Sequence, residues 1–333
     1  MKLRLDTPAR RATITALLNK HPQLPSRQLA RMVFNQHKEL FASLDSAYQS
    51  IRRCRGAHGR VDRAKRTATH RHLTTPPPAL PPLPPTRARR WATRQLPLGD
   101  ILVLSDLHFP YQDNEAIEAA LATGEQAKVN TIFLNGDVLD FYSISRFETN
   151  PGERNLKKEI AATEQFFAHL RARFPKAAIL FKQGNHDERW DAFIWRKAPE
   201  LWNLPQMTLT AITNMGQYGI DLLPRRARVT AHKLDILHGH ELDKGFIAPV
   251  NPARGAFLRT TECVMVGHYH RTSEHIERSA RGRLISCFST GCLAGLWPDY
   301  SVANKWNHGF ALVENRADGF TVHNKRILEG RVL

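Results

Sequence analysis

Two stretches decide how this chain is read: Ile101-Leu102-Val103-Leu104-Ser105-Asp106-Leu107-His108 and Thr131-Ile132-Phe133-Leu134-Asn135-Gly136-Asp137-Val138-Leu139-Asp140. Each opens on a short apolar run, the pattern of a strand covered on both faces, and each then turns acidic. Residues 114–128 between them carry apolar side chains at helical spacing, so the order strand, loop, helix, strand, loop predicts parallel pairing with a helical crossover. Residues just past the carboxyl ends of such strands face the ligand crevice. Asp106, His108, Asp137 and Asp140 are therefore expected around one pocket.

Three later strand-like runs end in the same way. Residues 178–182 precede Gly184-Asn185-His186-Asp187, residues 234–237 precede His238-Gly239-His240, and residues 263–266 precede Gly267-His268-Tyr269-His270. Carboxylates, an amide and imidazoles at five strand ends can supply two neighbouring divalent cations.

In order and content these five motifs resemble the calcineurin-like metallophosphoesterase superfamily, whose pattern is DxH, GDxxD, GNH(D/E), a histidine after a strand, and GHxH. The resemblance spans roughly residues 99–330 and implies an α/β fold, an αββα sandwich. It implies that Asp106, His108 and His270 hold one metal, that Asp137 bridges, and that Asn185, His238 and His268 hold the second. His186 would protonate the leaving oxygen, with Asp140 bonded to its far nitrogen. His240 is an alternative to His238 as ligand, or faces substrate. Manganese is the first choice on the resemblance, and iron, zinc, cobalt or nickel also suit a donor set without thiolate.

Around these motifs, Arg146 and Arg189 are candidates to clamp a phosphate, against pairing with nearby carboxylates. Tyr142, Trp190 and Tyr269 are candidates to stack on a base or aryl group, against ordinary packing. Asp187 and Glu188 either support the ligands or are surface charges. Residues 190–224, rich in tryptophan, are expected to form a lid or cap, against simple edge packing.

Charge divides the chain. Residues 1–95 hold 20 Lys and Arg against 4 Asp and Glu, whereas the other 238 residues hold 28 against 27. Such asymmetry points to a polyanion, nucleic acid and DNA first, as partner of the front part. Three short helices are expected there: one capped at Thr7-Pro8 with Ile14, Leu17 and Leu18 inward, one capped by Ser26 with Leu29, Met32 and Val33, and one capped near Asp45 with Leu44, Tyr48 and Ile51. On the third, Gln49, Arg52, Arg53 and Arg55 form the polar side that a helix-turn-helix lays in the major groove, against a solvated basic face. A basic arm continues to Arg71. Seven of the ten residues from 76 to 85 are proline, a semi-rigid spacer.

The expected organisation is a helical nucleic-acid-binding domain over 1–58, a linker over 59–98 and the phosphoesterase over 99–333. That combination is similar to phosphoesterases of phages and prophages. No apolar run approaches the roughly 18 residues of a membrane span, so a cytoplasmic protein is expected. The four cysteines show no paired metal spacing and read as reduced, packed side chains. A metal-dependent phosphodiesterase or nuclease follows. The alternatives are a phosphomonoesterase or small-nucleotide phosphodiesterase, and a DNA-binding regulator with an idle phosphoesterase fold, against which the complete ligand set argues.

Overall fold

The computed structural model describes residues 7–56, 82–88, 90–242, 250–299 and 301–333. The basic arm beyond residue 56 and the prolines before residue 82 lie outside the described residues. The chain divides into two units, Met1–Arg87 and Ala88–Leu333.

In the first unit, α1 (Pro8–Lys20), α2 (Ser26–Gln36) and α3 (Leu44–Cys54) bury Ile14, Leu29, Val33, Phe41, Ala47 and Ile51 together. Thr7 caps α1 as expected, its hydroxyl accepting from the Arg10 amide. Ser26 does not cap α2; it lies inside the helix and accepts from Arg55. Ser43 rather than Asp45 caps α3, because its hydroxyl reaches the Ser46 amide, and Leu44 is turned to solvent. Seven residues, 37–43, join α2 to α3, about twice the turn of a helix-turn-helix.

The second unit is a four-layer sandwich. Its seven-stranded sheet runs in the order β13-β12-β11-β2-β3-β4-β5 and its six-stranded sheet in the order β1-β6-β7-β8-β10-β9. In sequence the strands are β1 (Thr93–Gln95), β2 (Gly99–Leu104), β3 (Thr131–Asn135), β4 (Ala178–Lys182), β5 (Ile220–Leu222), β6 (Arg228–Ala231), β7 (Leu234–Leu237), β8 (Val264–Val266), β9 (Ser273–Arg278), β10 (Leu284–Ser289), β11 (His308–Asn315), β12 (Phe320–Leu328) and β13 (Arg331–Val332). The two-residue period of β2 sorts its side chains. Ile101 and Val103 join Phe133, Val229, Ile236 and Met265 between the sheets, while Leu102 and Leu104 face the helix layer.

That helix layer is α4 (Asn114–Gln126) and α5 (Leu156–Arg173), followed by α6 (Arg189–Lys197) and the short α7 (Leu209–Ile212). On the far side α8 (Pro252–Thr260) covers Val264, Val266, Ile285 and Cys287. β2, β3, β4 and β5 pair in parallel in the first sheet, and β7 and β8 do so in the second. Their carboxyl ends open on the same side as the five motif loops. All four cysteines are free thiols, and among the described residues no helix is long and apolar enough to cross a membrane.

Two expectations change. The phosphoesterase unit starts before residue 99: Thr93–Gln95 pairs with β6 and Leu96 is buried, so the end of the expected linker is part of the sandwich. Residues 190–224 are not a separate insertion, because Ile220–Leu222 completes the edge of the seven-stranded sheet beside β4.

Candidate metal centre

The two acidic loops lie side by side because the parallel ladder of β2 and β3 continues into them. The amide of Asp106 donates to the Gly136 carbonyl, His108 to Asp137 and Phe109 to Val138, and Asp140 donates back to Phe109. Five ligand candidates, Asp106, His108, Asp137, His268 and His270, have left-handed backbones with φ between 51° and 65°. For a non-glycine residue that conformation costs about 1–3 kcal/mol, and it turns the side chains abruptly off the strand ends into the crevice. Glycines allow the loops to close: a Cβ at Gly184 would lie 2.3 Å from Asp137 Oδ1, and one at Gly267 would lie 1.9 Å from Ser105 Oγ.

Side-chain atoms then converge. His270 Nε2 is 3.2 Å from Asp106 Oδ1 and 3.2 Å from His108 Nε2. His238 Nε2 is 3.1 Å from Asp137 Oδ2, and His108 Nε2 is 3.8 Å from the same oxygen. Three overlapping groups result: Asp106 with His108 and His270, His108 with Asp137 and His186, and Asp137 with His238 and His268. Asp137 belongs to two of them, which puts it between the two halves of the cluster. Asn185 Oδ1 is buried and has no hydrogen-bond partner among the described residues. An orphaned amide oxygen next to converging imidazoles and two carboxylates fits a pair of divalent cations, in ligand type and in number. His240 stands apart, between Glu188 and Glu241, so the strand-terminal His238 is the one inside the cluster.

The charges balance one another. Burial pushes the Asp106 carboxyl up, but His270 and His238 outweigh it and hold it at about 2. Asp137 is likewise kept well below the usual carboxylate range against its burial, by His238 and His186. Burial pulls the His238 imidazole down, and the Asp137 carboxylate overrides this and lifts it to about 10. His268, nearly surrounded and beside His238, falls to about 4. A divalent cation held by these residues would take the place of the His238 proton.

Asp140 serves two histidines. Its Oδ2 is 2.9 Å from His108 Nδ1 and 3.3 Å from His186 Nδ1, and its backbone carbonyl is 3.0 Å from the same His186 nitrogen. The expected bond to His186 is thus shared, and the shorter contact orients the metal-ligand candidate His108. On the other side of the His186 ring, an Arg189 terminal nitrogen lies 3.0 Å from Nε2. A guanidinium only donates, so Nε2 accepts and the ring proton sits on Nδ1. Arg189 also donates to the Asp140 carbonyl at 2.9 Å.

Other expected residues land elsewhere. Trp190 is buried, stacked on Phe141, and its indole N–H donates to the Met207 carbonyl, so it packs the core rather than meeting a substrate. Tyr142 accepts from the Asn150 amide and packs edge-on to Tyr111. Tyr269 donates its hydroxyl to the Gly239 carbonyl and meets His268 edge-on. Arg146 lies over Phe147 at the rim. In the helical unit Arg55 turns back to donate to Ser26, Leu24 and Pro22, and Arg52 covers the Tyr48 ring; Gln49 and Arg53 are half-buried on α3.

Of three supports, the sequence left Asp187 between supporting the ligands and lying at the surface, and did not show Trp306 or Glu241. Asp187 is fully buried and accepts from four amides, Asp137 at 2.7 Å, Gly184 at 2.8 Å, Leu139 at 3.0 Å and Val138 at 3.1 Å. It ties the second motif loop to the third. Burial and the Asp137 charge push its carboxyl up to about 7 against those four bonds. Trp306 packs edge-on against His270 at 4.1 Å. Glu241 accepts from the Gly239 amide at 2.8 Å and pairs with Lys182, both of them buried, and so fixes the turn that carries His238.

Glu241→Gln should cost about 3–5 kcal/mol of unfolding free energy, because it leaves Lys182 buried without its partner. Burial raises the Glu241 carboxyl, but Lys182 and His240 draw it down to about 2. Its contribution is therefore complete above its ordinary carboxylate range and is lost as pH falls towards 2. Urea unfolding of both proteins at pH 7 and at pH 3 measures this: the gap between them should narrow at the lower pH.

The profile of the calcineurin-like phosphoesterase family matches residues 99–271, from β2 through the last motif. The chain belongs to the calcineurin-like phosphoesterase family. This metallophosphoesterase is a hydrolase acting on phosphate esters. Its relatives include the Gene 54 protein of Mycobacterium phage D29, 26% identical over 180 residues that cover 51% of this chain and 69% of the relative. The Gene 54 protein of Mycobacterium phage L5 is 24% identical over the same extent. Vacuolar protein sorting 29 from Cryptosporidium parvum is 14% identical, covers 71% of this chain and 94% of its own, and superposes with a TM-score of 0.37.

Proposed function

We propose that this metallophosphoesterase is a metal-dependent phosphodiesterase that hydrolyses nucleic acid, DNA first, with its helical unit and basic arm retaining the polymer. The observation that carries the reading is the charge division: an excess of 16 positive charges precedes residue 96, while the phosphoesterase part is nearly neutral. Phosphate contacts from such a segment give affinity without sequence preference and raise the local concentration of substrate through a tether. Gln49, Arg52 and Arg53 are the α3 residues assigned to this contact, and Arg55 holds the bundle that presents them.

Asp106, His108 and His270 would hold one divalent ion and Asn185, His238 and His268 the second, with Asp137 shared and manganese the first choice. When bound, two such ions neutralise the phosphate and lower the pKa of water. The chain's own residues do the rest. Arg189 moves from His186 Nε2 to a phosphate oxygen, a bidentate partner for a guanidinium. The nitrogen it leaves is then directed at the leaving oxygen. Burial lowers the His186 imidazole but the Asp137 and Asp140 carboxylates raise it further, so Nε2, freed of Arg189, takes up a proton. The resulting imidazolium, its Nδ1–H held by Asp140, passes that proton to the leaving oxygen.

The test uses the full chain and residues 88–333, each with manganese and then with EDTA. Bis-p-nitrophenyl phosphate, p-nitrophenyl phosphate and DNA are offered. Metal-dependent cleavage of the diester and of DNA is expected. The shorter chain should keep the diester activity and bind DNA more weakly, with a shallower dependence on salt. Turnover of the monoester alone would overturn the proposal.

A further inference from the structure

Against the ligand cluster, with Asn185 in its wall, lies an open cavity of about 390 Å³. Arg146, Phe147, Arg189, Trp195, Arg196 and Arg225 form most of the remaining wall. The carboxylate lining it is Glu188, which Arg225 grips through two bonds of 3.0 and 2.9 Å. Arg225 also faces Asp191, and Arg189 lies 3.4 Å from Asp140 Oδ1, so the positive charge of the wall rests chiefly on Arg146 and Arg196.

The aromatic side chains there are turned to solvent. Trp195 is 42% exposed and Phe147 is 62% exposed, on a wall where the neighbouring Trp190 is buried. Arg225 lies 4.8 Å above the Trp195 ring and Arg146 lies 5.0 Å above that of Phe147. Exposed rings next to guanidiniums match a nucleotide, whose base stacks on an aromatic face while its phosphate takes a guanidinium. The volume of about 390 Å³ is at the lower end of the range of small-molecule sites, roughly 300–1,000 Å³, enough for one nucleotide.

We propose that this cavity is a nucleotide subsite. It seats the nucleotide next to the scissile phosphate, with the base on Trp195 and the flanking phosphate on Arg196 and Arg225. The enzyme then selects single-stranded polynucleotides, whose bases are free to enter the cavity, over aryl phosphates. This rests on the phosphoesterase reading and adds the substrate class.

The experiment measures inhibition of bis-p-nitrophenyl phosphate turnover, with manganese, by a single-stranded deoxythymidine hexamer and by inorganic phosphate. It uses the full chain, Trp195→Ala and Arg196→Ala; both side chains are exposed, so the variants keep the fold. Trp195→Ala should raise the inhibition constant of the hexamer about tenfold, the size of losing one stacked base. Arg196→Ala should raise it severalfold through the lost phosphate contact, and each should raise that of phosphate less than twofold. Unchanged hexamer inhibition in both variants would overturn the subsite, and so would a parallel rise for hexamer and phosphate. Cleavage of the hexamer is followed separately. A hexamer bound through Trp195 and left intact supports the subsite and removes the nuclease reading; one cut equally well by all three proteins removes the subsite alone.

Discussion

Asp137→Asn should abolish turnover, by roughly a thousandfold or more, and remove bound metal from the chain. The amide keeps the shape of the side chain, so packing is little changed, but it withdraws the charge shared by the two halves of the cluster. Metal binding supplies several kcal/mol of transition-state stabilisation, at tenfold in rate per ~1.4 kcal/mol. Asp137 also accepts from the His186 amide at 2.8 Å, so the proton donor loses an anchor in the same variant. The measurements are kcat/KM on bis-p-nitrophenyl phosphate and metal per chain by plasma emission. Full metal content with full activity would show that Asp137 carries neither role.

His186→Ala should have the second largest effect, a fall in kcat of about 10²–10⁴-fold on DNA with the metal retained. The ring sits beside the cluster and is held by Asp140 and Arg189, while the Asp137 carboxylate accepts from the His186 backbone amide, a bond that alanine keeps. Leaving-group chemistry separates proton donation from simple positioning. A sugar oxygen must be protonated as it departs, whereas p-nitrophenolate departs unaided. The loss should therefore be much smaller on bis-p-nitrophenyl phosphate than on DNA. Equal losses on both substrates would make His186 a positioning residue.

The acidic loops and the histidine pairs were legible because each follows an apolar strand, and the strand end fixes where its next residues point. The helical crossover was legible for the same reason: its periodicity is local. The second sheet was only partly legible. β1 is three exposed polar residues inside what reads as linker, and β9, Ser273–Arg278, carries Ser, Glu, His, Ile, Glu and Arg with little burial. Such edge strands are set by their partners, β6 and β10, not by their own composition.

Support residues were hidden for a related reason. Asp187 reads equally as a support or as a surface charge after a ligand loop, because three of its four amide donors lie some fifty residues earlier. Lys182 ends an apolar strand, and Glu241, its partner, is 59 residues away. The Trp190 position was ambiguous because an aromatic beside a loop packs or stacks according to which way its helix turns; α6 turns it inward and Trp195 outward. Arg55 looked like a phosphate contact, but the α2 approach places the carbonyls of Pro22 and Leu24 within its reach.

Anomalous diffraction from crystals of the full chain grown with manganese tests the central claim most directly. Two peaks are expected, one among Asp106, His108 and His270 and one among Asn185, His238 and His268, with Asp137 touching both. No peak in this crevice, or ordered manganese only elsewhere on the chain, would contradict it.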